Sequence, residues 1–296
     1  MSRLHSHDLV RPDGTMRYWM GRTPGPTVVM LHGATLDHRA WAPQTEALRD
    51  QFRLVVPDLR GHGESTGSFD FEAALQDILA LLDEVSTPGV VLVGISLGAN
   101  IAQEVVHRHP DRVQALVIAD ATCNTAARSP WAAPMTVAAL NAQAMLSGEN
   151  FGRTAAHATA LDPQVQAYAL EANAHRSNRE TVAILSSLLT TALHPDPTYR
   201  LPVPTLLVHG DCDRIGDIAG GTRDWAKREP LAEYAVISGA GHASNLDNPE
   251  EFTAVLRTFL GRATSPPALV DRSDSAVRPG RTAASAALAE SLPPAA

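Results

Sequence analysis

The chain has 296 residues, 44% of them hydrophobic and 19% charged, with 24 basic against 32 acidic side chains and a net charge of −8. An apolar fraction of this size can bury a core, which excludes a chain disordered throughout. The negative balance argues against a nucleic-acid binder, which needs a basic face toward phosphate.

The first residues, Met-Ser-Arg-Leu-His-Ser-His-Asp, lack the apolar stretch of a secretory signal. No apolar run approaches the roughly 18 residues of a membrane helix. The expected location is therefore the cytoplasm, with no membrane association, and Cys123 and Cys212 are expected to be reduced there.

Along the chain, His7–Val10 and Met16–Met20 flank Arg11-Pro12-Asp13-Gly14, whose residues suit a turn. Thr27–Leu31, Phe52–Val56, Val90–Val93, Ala115–Ala119 and Thr205–Val208 are short, continuous apolar runs. Such runs mark parallel strands covered on both faces. Between them Trp41–Gln51, Phe71–Glu84 and Asn100–His109 are amphipathic and read as helices. The alternation predicts an α/β fold with a mostly parallel, doubly wound sheet.

The alternation stops near Thr122. Residues 124–199 hold no convincing strand, and Trp131–Leu146, Pro163–Ala174 and Arg179–Leu193 are rich in helix formers. They are expected to form a helical cap inserted into a core made of residues 1–123 and 200–262. Leu201-Pro-Val-Pro204 leads back into that core, and Ala235–Ile237 and Pro249–Leu260 read as the final strand and helix. Residues 263–296 are rich in alanine and proline and contain no aromatic residue. They are expected to be a disordered C-terminal tail, because they bury too little to offset ordering entropy. A short docking helix at Ala283–Leu292 is the alternative.

The strongest chemical signal is Gly94-Ile95-Ser96-Leu97-Gly98, directly after the apolar run at Val90 and directly before a helix. Strand, Gly-x-Ser-x-Gly and helix together describe a strained turn that thrusts a serine hydroxyl out over the strand ends. A serine needs a base, and among the twelve histidines His242 stands on the loop after the last strand, in Gly239-Ala240-Gly241-His242. The base needs a carboxylate to fix its tautomer. Asp213 ranks first, because it lies far enough along the loop after Val208 to reach His242. Asp120, after Ala119, ranks second, and Asp211 third, with a turn-forming role as its alternative. Oxyanion donors are expected from the backbone N–H groups of Leu97 and Ala34, the latter in His32-Gly33-Ala34-Thr35. His32 reads as a structural hydrogen-bonding residue, and Asp58–Ser65 as a rigid loop bracing the site.

His32-Gly33, Asp58-Leu-Arg-Gly-His-Gly-Glu-Ser65, Gly94-Ile-Ser-Leu-Gly98, Gly210-Asp-Cys-Asp213 and Gly241-His242 resemble, in content and order, the motifs of α/β-hydrolase-fold proteins. Within that fold the chain resembles the cap-bearing serine esterase, lactonase and perhydrolase type. The resemblance spans about residues 8 to 261. It implies Ser96 as nucleophile, Asp213 as acid, His242 as base, and Ala34 with Leu97 as oxyanion hole. In one departure, Arg214-Ile215-Gly216-Asp217 lacks the proline that often follows the acid. Dehalogenases and epoxide hydrolases of this fold place aspartate where Ser96 stands, so the resemblance does not extend to them.

The expected function is hydrolysis of a small or medium apolar ester or lactone through an acyl-enzyme. The same triad also serves C–C bond hydrolysis, perhydrolysis or acyl transfer, and a ligand sensor of this fold is the reading from another class. The expected partner is a small-molecule substrate, with no nucleic acid, no cofactor and no metal. Neither His-Glu-x-x-His nor Cys-x-x-Cys occurs, and oligomeric state has no signature. Trp41, Trp131, Met135, Met145 and Phe151 are apolar residues that either line a substrate pocket or pack the cap onto the core.

Overall fold

A computed structural model describes residues 4–85 and 89–265. Within them eight strands form one sheet in the order β1-β2-β4-β3-β5-β6-β7-β8. β1 (His5–Arg11) and β2 (Gly14–Met20) form an antiparallel hairpin closed by Pro12 and Asp13, and β2 lies antiparallel to β4 (Arg53–Pro57). β3 (Thr27–Leu31), β5 (Val90–Ile95), β6 (Val113–Ala119), β7 (Thr205–Gly210) and β8 (Ala232–Ile237) continue the sheet from β4 in parallel.

Strand alternation divides the core in two. Val29, Leu31, Leu92, Leu116, Ile118 and Leu207 point to one face, toward α2 (Phe71–Glu84), α3 (Leu97–Arg108) and Trp225 of α8 (Ile218–Arg228). Val28, Met30, Val91, Val93, Val117 and Val208 point to the other, toward α1 (Ala42–Leu48) and α10 (Pro249–Ala263). Complete burial of both faces explains why these strands are apolar at every position rather than at alternate ones.

The helices carry matching stripes. In α2, Phe71, Ala74, Leu75, Ile78, Leu81 and Leu82 are buried at helical spacing, and Asp70 caps the start by accepting from Ala73 N at 2.9 Å. Each fully buried aliphatic side chain contributes about 1.5–3 kcal/mol.

Between β6 and β7 the chain is helical: α4 (Ala132–Ser147), α5 (Phe151–Thr159), α6 (Pro163–Ala172) and α7 (Asn178–Ser187), the last running into a π-helical turn to Ala192. Its entry and exit are both fastened to α3. Asn100 Nδ2 donates to Thr122 O (3.1 Å) and Asn124 Oδ1 (2.6 Å), and Asn124 N donates to Gln103 Oε1 (2.9 Å). At the exit His194 N donates to Asn124 O (3.0 Å), and the His194 ring meets buried Glu104. The helix after the serine turn therefore also bolts down the inserted segment.

α5, α8 and the short α9 (Ser244–Asp247) lie where the sequence pattern shows no helix, and α3 starts at Leu97 rather than Asn100. Residues 4–264 belong to one compact unit. Of the expected tail, Ala263 instead ends α10. Residues 266–296, including the alternative docking helix, lie outside the described residues. Among the described residues no helix is long and apolar enough to cross a membrane, and Cys123 and Cys212 are both free.

Candidate active site

The loops that follow β3 to β8 all emerge at the carboxyl edge of the sheet, where ligands of open α/β sheets bind. At its centre β5 ends in Ile95, Ser96 turns sharply, and α3 begins at the next residue. Ser96 has φ 52° and ψ −120°, a conformation costing about 1–3 kcal/mol that persists only where the surroundings enforce it. They do so through close backbone approach. A Cβ on Gly94 would stand 2.5 Å from Ala99 Cα, and one on Gly98 would stand 2.3 Å from Leu31 O. Both positions therefore demand glycine.

The base and acid loops cross at the end of β7. A Cβ on Gly210 would lie 2.2 Å from Ala240 O. Asp211 N donates to Ile237 O (3.0 Å) and Cys212 N to Ala240 O (2.9 Å). This crossing brings three side chains into line. His242 Nδ1 donates to Asp213 Oδ2 at 2.9 Å, and the Ser96 hydroxyl donates to His242 Nε2 at 2.9 Å. His242 is 8% exposed and the Asp213 carboxylate is fully buried. Asp213 Oδ1 also accepts from Ile215 N at 2.9 Å, so this bond closes the loop that lacks a proline. Burial pulls the His242 imidazolium down, but the hydrogen bond and charge of Asp213, with the charge of Asp120 behind them, leave its pKa raised above the ordinary 6.5.

The turn after β3 packs against the serine. Leu36 N donates to Gly33 O (3.3 Å), Thr35 takes φ 65°, and a Cβ on Gly33 would lie 3.4 Å from Ser96 Cβ. Ala34 sits inside this turn. Leu97 is the first residue of α3, so its N–H has no acceptor within the helix. His32 is fully buried, and its Nε2 accepts from Leu59 N at 3.0 Å, which is a structural role. The neighbouring loop is braced by Asp58, whose carboxylate accepts from His38 N (2.6 Å), His38 Nδ1 (3.0 Å) and Glu64 N (2.7 Å).

Asp120 lies at the same edge but is not bonded to His242. Its oxygens accept from Gly210 N (2.8 Å), Ser244 N (3.2 Å) and Ser244 Oγ (2.5 Å). It ties the end of β7 to the base loop. Burial pushes its carboxyl up to about 7. Asp211, the third-ranked carboxylate, accepts from Ala240 N at 3.2 Å, a turn-forming bond.

The apolar candidates fall into two groups, buried and exposed. Trp41 is fully buried in the core beneath the sheet, its ring 6.1 Å from that of Phe252. Phe151 is buried as well. Trp131, Met135 and Met145 are 71%, 68% and 85% exposed, and α4 has no buried residue. Trp41 thus takes the packing alternative, and Trp131, Met135 and Met145 lie on a helix face open to solvent rather than packed onto the core. A cavity of about 320 Å³ beside α8, lined by Cys123, Arg128, Thr222, Trp225 and Arg228 among others, includes none of the three aligned side chains.

Among the described residues one trio of metal-capable side chains converges: Asp37, His38 and Asp58. Its atoms are already engaged. Asp37 accepts from Arg39 and from Tyr168 Oη, and Asp58 accepts from His38 and Glu64. The cluster is a hydrogen-bonded brace beneath the Ala34 turn.

Sequence reasoning missed Asp247. Its carboxylate accepts from Gly241 N (2.8 Å), Leu161 N (2.9 Å) and Asp162 N (2.9 Å). Two of its partners, Leu161 and Asp162, are backbone groups of another segment, so no local pattern announces the link.

A model of the alpha/beta hydrolase family matches residues 28–255. Pimeloyl-[acyl-carrier protein] methyl ester esterase of Nitrosospira multiformis is 27% identical over 254 residues, covering 79% of this chain and 94% of that protein. 3-Oxoadipate enol-lactonase 1 of Acinetobacter baylyi is 24% identical over 280 residues, covering 88% and 98%. Among solved structures, a thermophilic esterase from Thermogutta terrifontis has a TM-score of 0.73 at 25% identity, covering 88% of this chain and 100% of that one.

Proposed function

The chain belongs to the alpha/beta hydrolase family, and from that premise we propose that it hydrolyses a small or medium apolar carboxylic ester or lactone through an acyl-enzyme on Ser96. The observation that carries this reading is the unbroken line Ser96–His242–Asp213, with 2.9 Å at each link. The similarity to a methyl ester esterase and an enol-lactonase supports it.

In the proposed mechanism Ser96 Oγ attacks the ester carbonyl while His242 Nε2 takes its proton. The imidazolium so formed is held by the Asp213 carboxylate at Nδ1. The negative oxygen of the tetrahedral intermediate is received by the N–H groups of Leu97 and Ala34. His242 then protonates the departing alkoxide, which leaves as an alcohol or, for a lactone, stays tethered to the acyl group. Water repeats the sequence, with His242 as base, and frees the acid and Ser96.

A panel of p-nitrophenyl esters, aliphatic methyl esters and lactones tests the reading. Turnover is expected, together with a fluorophosphonate adduct on Ser96 detected by intact mass. A folded protein that neither turns over any member nor forms the adduct overturns it.

The pH profile gives a second check. His242 works as a base only when neutral, and its pKa is raised above 6.5. kcat/KM is therefore expected to be level at alkaline pH and to fall tenfold per unit below an inflection above 6.5. An inflection below 6.5 contradicts the coupling of His242 to its carboxylates.

A further inference from the structure

We propose that Asp247 is a positioning residue: its carboxylate fastens the loop that carries His242 to the turn between α5 and α6, so that the inserted segment holds the imidazole over Ser96. The proposal rests on the reading of His242 as the base.

The loop itself supplies little order. It runs Ser238-Gly239-Ala240-Gly241-His242, with Gly239 at φ 61°, and glycine-rich backbone has much conformational entropy to lose. Both neighbours of His242 are nevertheless held by the same remote turn. On one side, Gly241 N donates to Asp247 Oδ2 at 2.8 Å. Asp247 in turn accepts from Leu161 N and Asp162 N at 2.9 Å each. On the other side, Ala243 N donates directly to Thr159 O at 2.7 Å. A carboxylate has two oxygens, and here one serves the base loop and the turn together. An asparagine keeps one such oxygen but loses the second, which here accepts from Asp162 N.

The turn is itself anchored to the opposite wall of the site. Tyr168 Oη on α6 donates to Asp37 Oδ1 (3.0 Å), and Arg39 Nη1 donates to Glu171 Oε1 (2.8 Å). Leu36 and Ala40 beside the Ala34 turn, Ala156 and Ala169 of α5 and α6, and Leu246 of the base loop form one small apolar cluster. The α5–α6 corner thus joins the oxyanion side to the base side. In contrast, α4 buries nothing. The α5–α6 corner of the inserted segment is part of the catalytic frame, whereas α4 is not.

The consequence is geometric. The His242 bonds to Ser96 and Asp213 are both 2.9 Å long, and a misplacement of about 1 Å at such a contact costs on the order of a hundredfold in rate.

The test compares wild type with Asp247→Asn and Asp247→Ala. p-Nitrophenyl acetate is the substrate, since it is too small to need α4. kcat, KM, Tm and amide hydrogen exchange are measured, with the low-field proton resonance of the His242–Asp213 bond as the spectroscopic signature. In Asp247→Ala, kcat is expected to fall about tenfold to a hundredfold, with KM within twofold of wild type. The low-field resonance should broaden, and exchange should quicken in both segments, 238–246 and 159–163. Asp247→Asn keeps one acceptor oxygen and should fall between; it also decides the matter if the alanine variant does not fold. An unchanged kcat in a folded variant overturns the proposal. So does faster exchange confined to 159–163, because the base loop would then stand without the carboxylate. The exchange and resonance readouts remain decisive even where wild type shows no turnover, an outcome that would count against the hydrolase reading alone.

Discussion

Ser96→Ala is expected to abolish turnover and fluorophosphonate labelling while leaving the fold intact. Removing the nucleophile of a Ser-His-Asp set costs roughly 10⁶ in kcat, because the residual rate comes only from binding and oxyanion stabilisation. The substitution removes one hydroxyl, whose hydrogen bond in the structure goes to His242 Nε2. The φ of 52° at position 96 is no harder for alanine than for serine. The glycines that enforce the turn, Gly94 and Gly98, are untouched. The thermal midpoint should therefore move by only a few degrees, against a rate lost almost entirely. Measurable turnover above about 1% of wild type in a purified, folded variant would remove Ser96 from the mechanism.

The parts of the fold visible in the sequence are those whose burial is uniform or whose chemistry is local. β3 is Thr27–Leu31 and α2 is Phe71–Glu84, residue for residue as the hydrophobic pattern predicts. The reason is that full burial of a strand, or of one helix stripe, leaves little choice of residue. α8 escaped notice because only Ile218, Thr222 and Trp225 are buried along it, and Gly220-Gly221 reads as loop. α3 begins three residues before its periodic signal, at Leu97, because Gly98 and Ala99 carry no amphipathic pattern of their own. In α4 composition left the orientation open. Trp131, Met135 and Met145 mark an apolar helix, but apolarity does not say whether the helix faces the site, and here it faces solvent.

The site was legible to the same extent. Ser96, Asp213 and His242 stand in short motifs marked by glycines that close backbone approach requires: Gly94 against its own turn, Gly98 against Leu31 and Gly210 against Ala240. Asp120 and Asp247 work differently. Each gathers backbone N–H groups from segments far away in sequence: Asp120 from Gly210 and Ser244, and Asp247 from Leu161 and Asp162, which it joins to Gly241 of its own loop. Any carboxylate at the right place in space would serve, so nothing beside them in the chain reports the role.

Asp213→Asn and Asp120→Asn form the second decisive comparison. Asp213 accepts the Nδ1 proton of His242 at 2.9 Å. An asparagine there either keeps an uncharged acceptor or turns its amide hydrogens toward Nδ1. The second arrangement forces the tautomer with the proton on Nε2, which cannot take the Ser96 proton. A loss of about 10⁴ in kcat is expected at neutral pH. Asp120→Asn acts by another route. The carboxylate there meets three donors, Gly210 N, Ser244 N and Ser244 Oγ, and an amide oxygen cannot serve all of them. A buried N–H left without a partner costs about 1–3 kcal/mol, so this variant should lose more stability than rate. It also removes the part-charge that the Asp120 carboxyl, pushed up to about 7, carries near neutrality and that favours the His242 imidazolium. The acid limb of its kcat/KM profile should therefore move to lower pH, whereas a purely structural substitution leaves that limb in place. Parallel pH–rate profiles and thermal melts of the two variants check both expectations. If Asp120→Asn costs more in kcat than Asp213→Asn, the acid of the triad is Asp120, and the bond from His242 to Asp213 is structural.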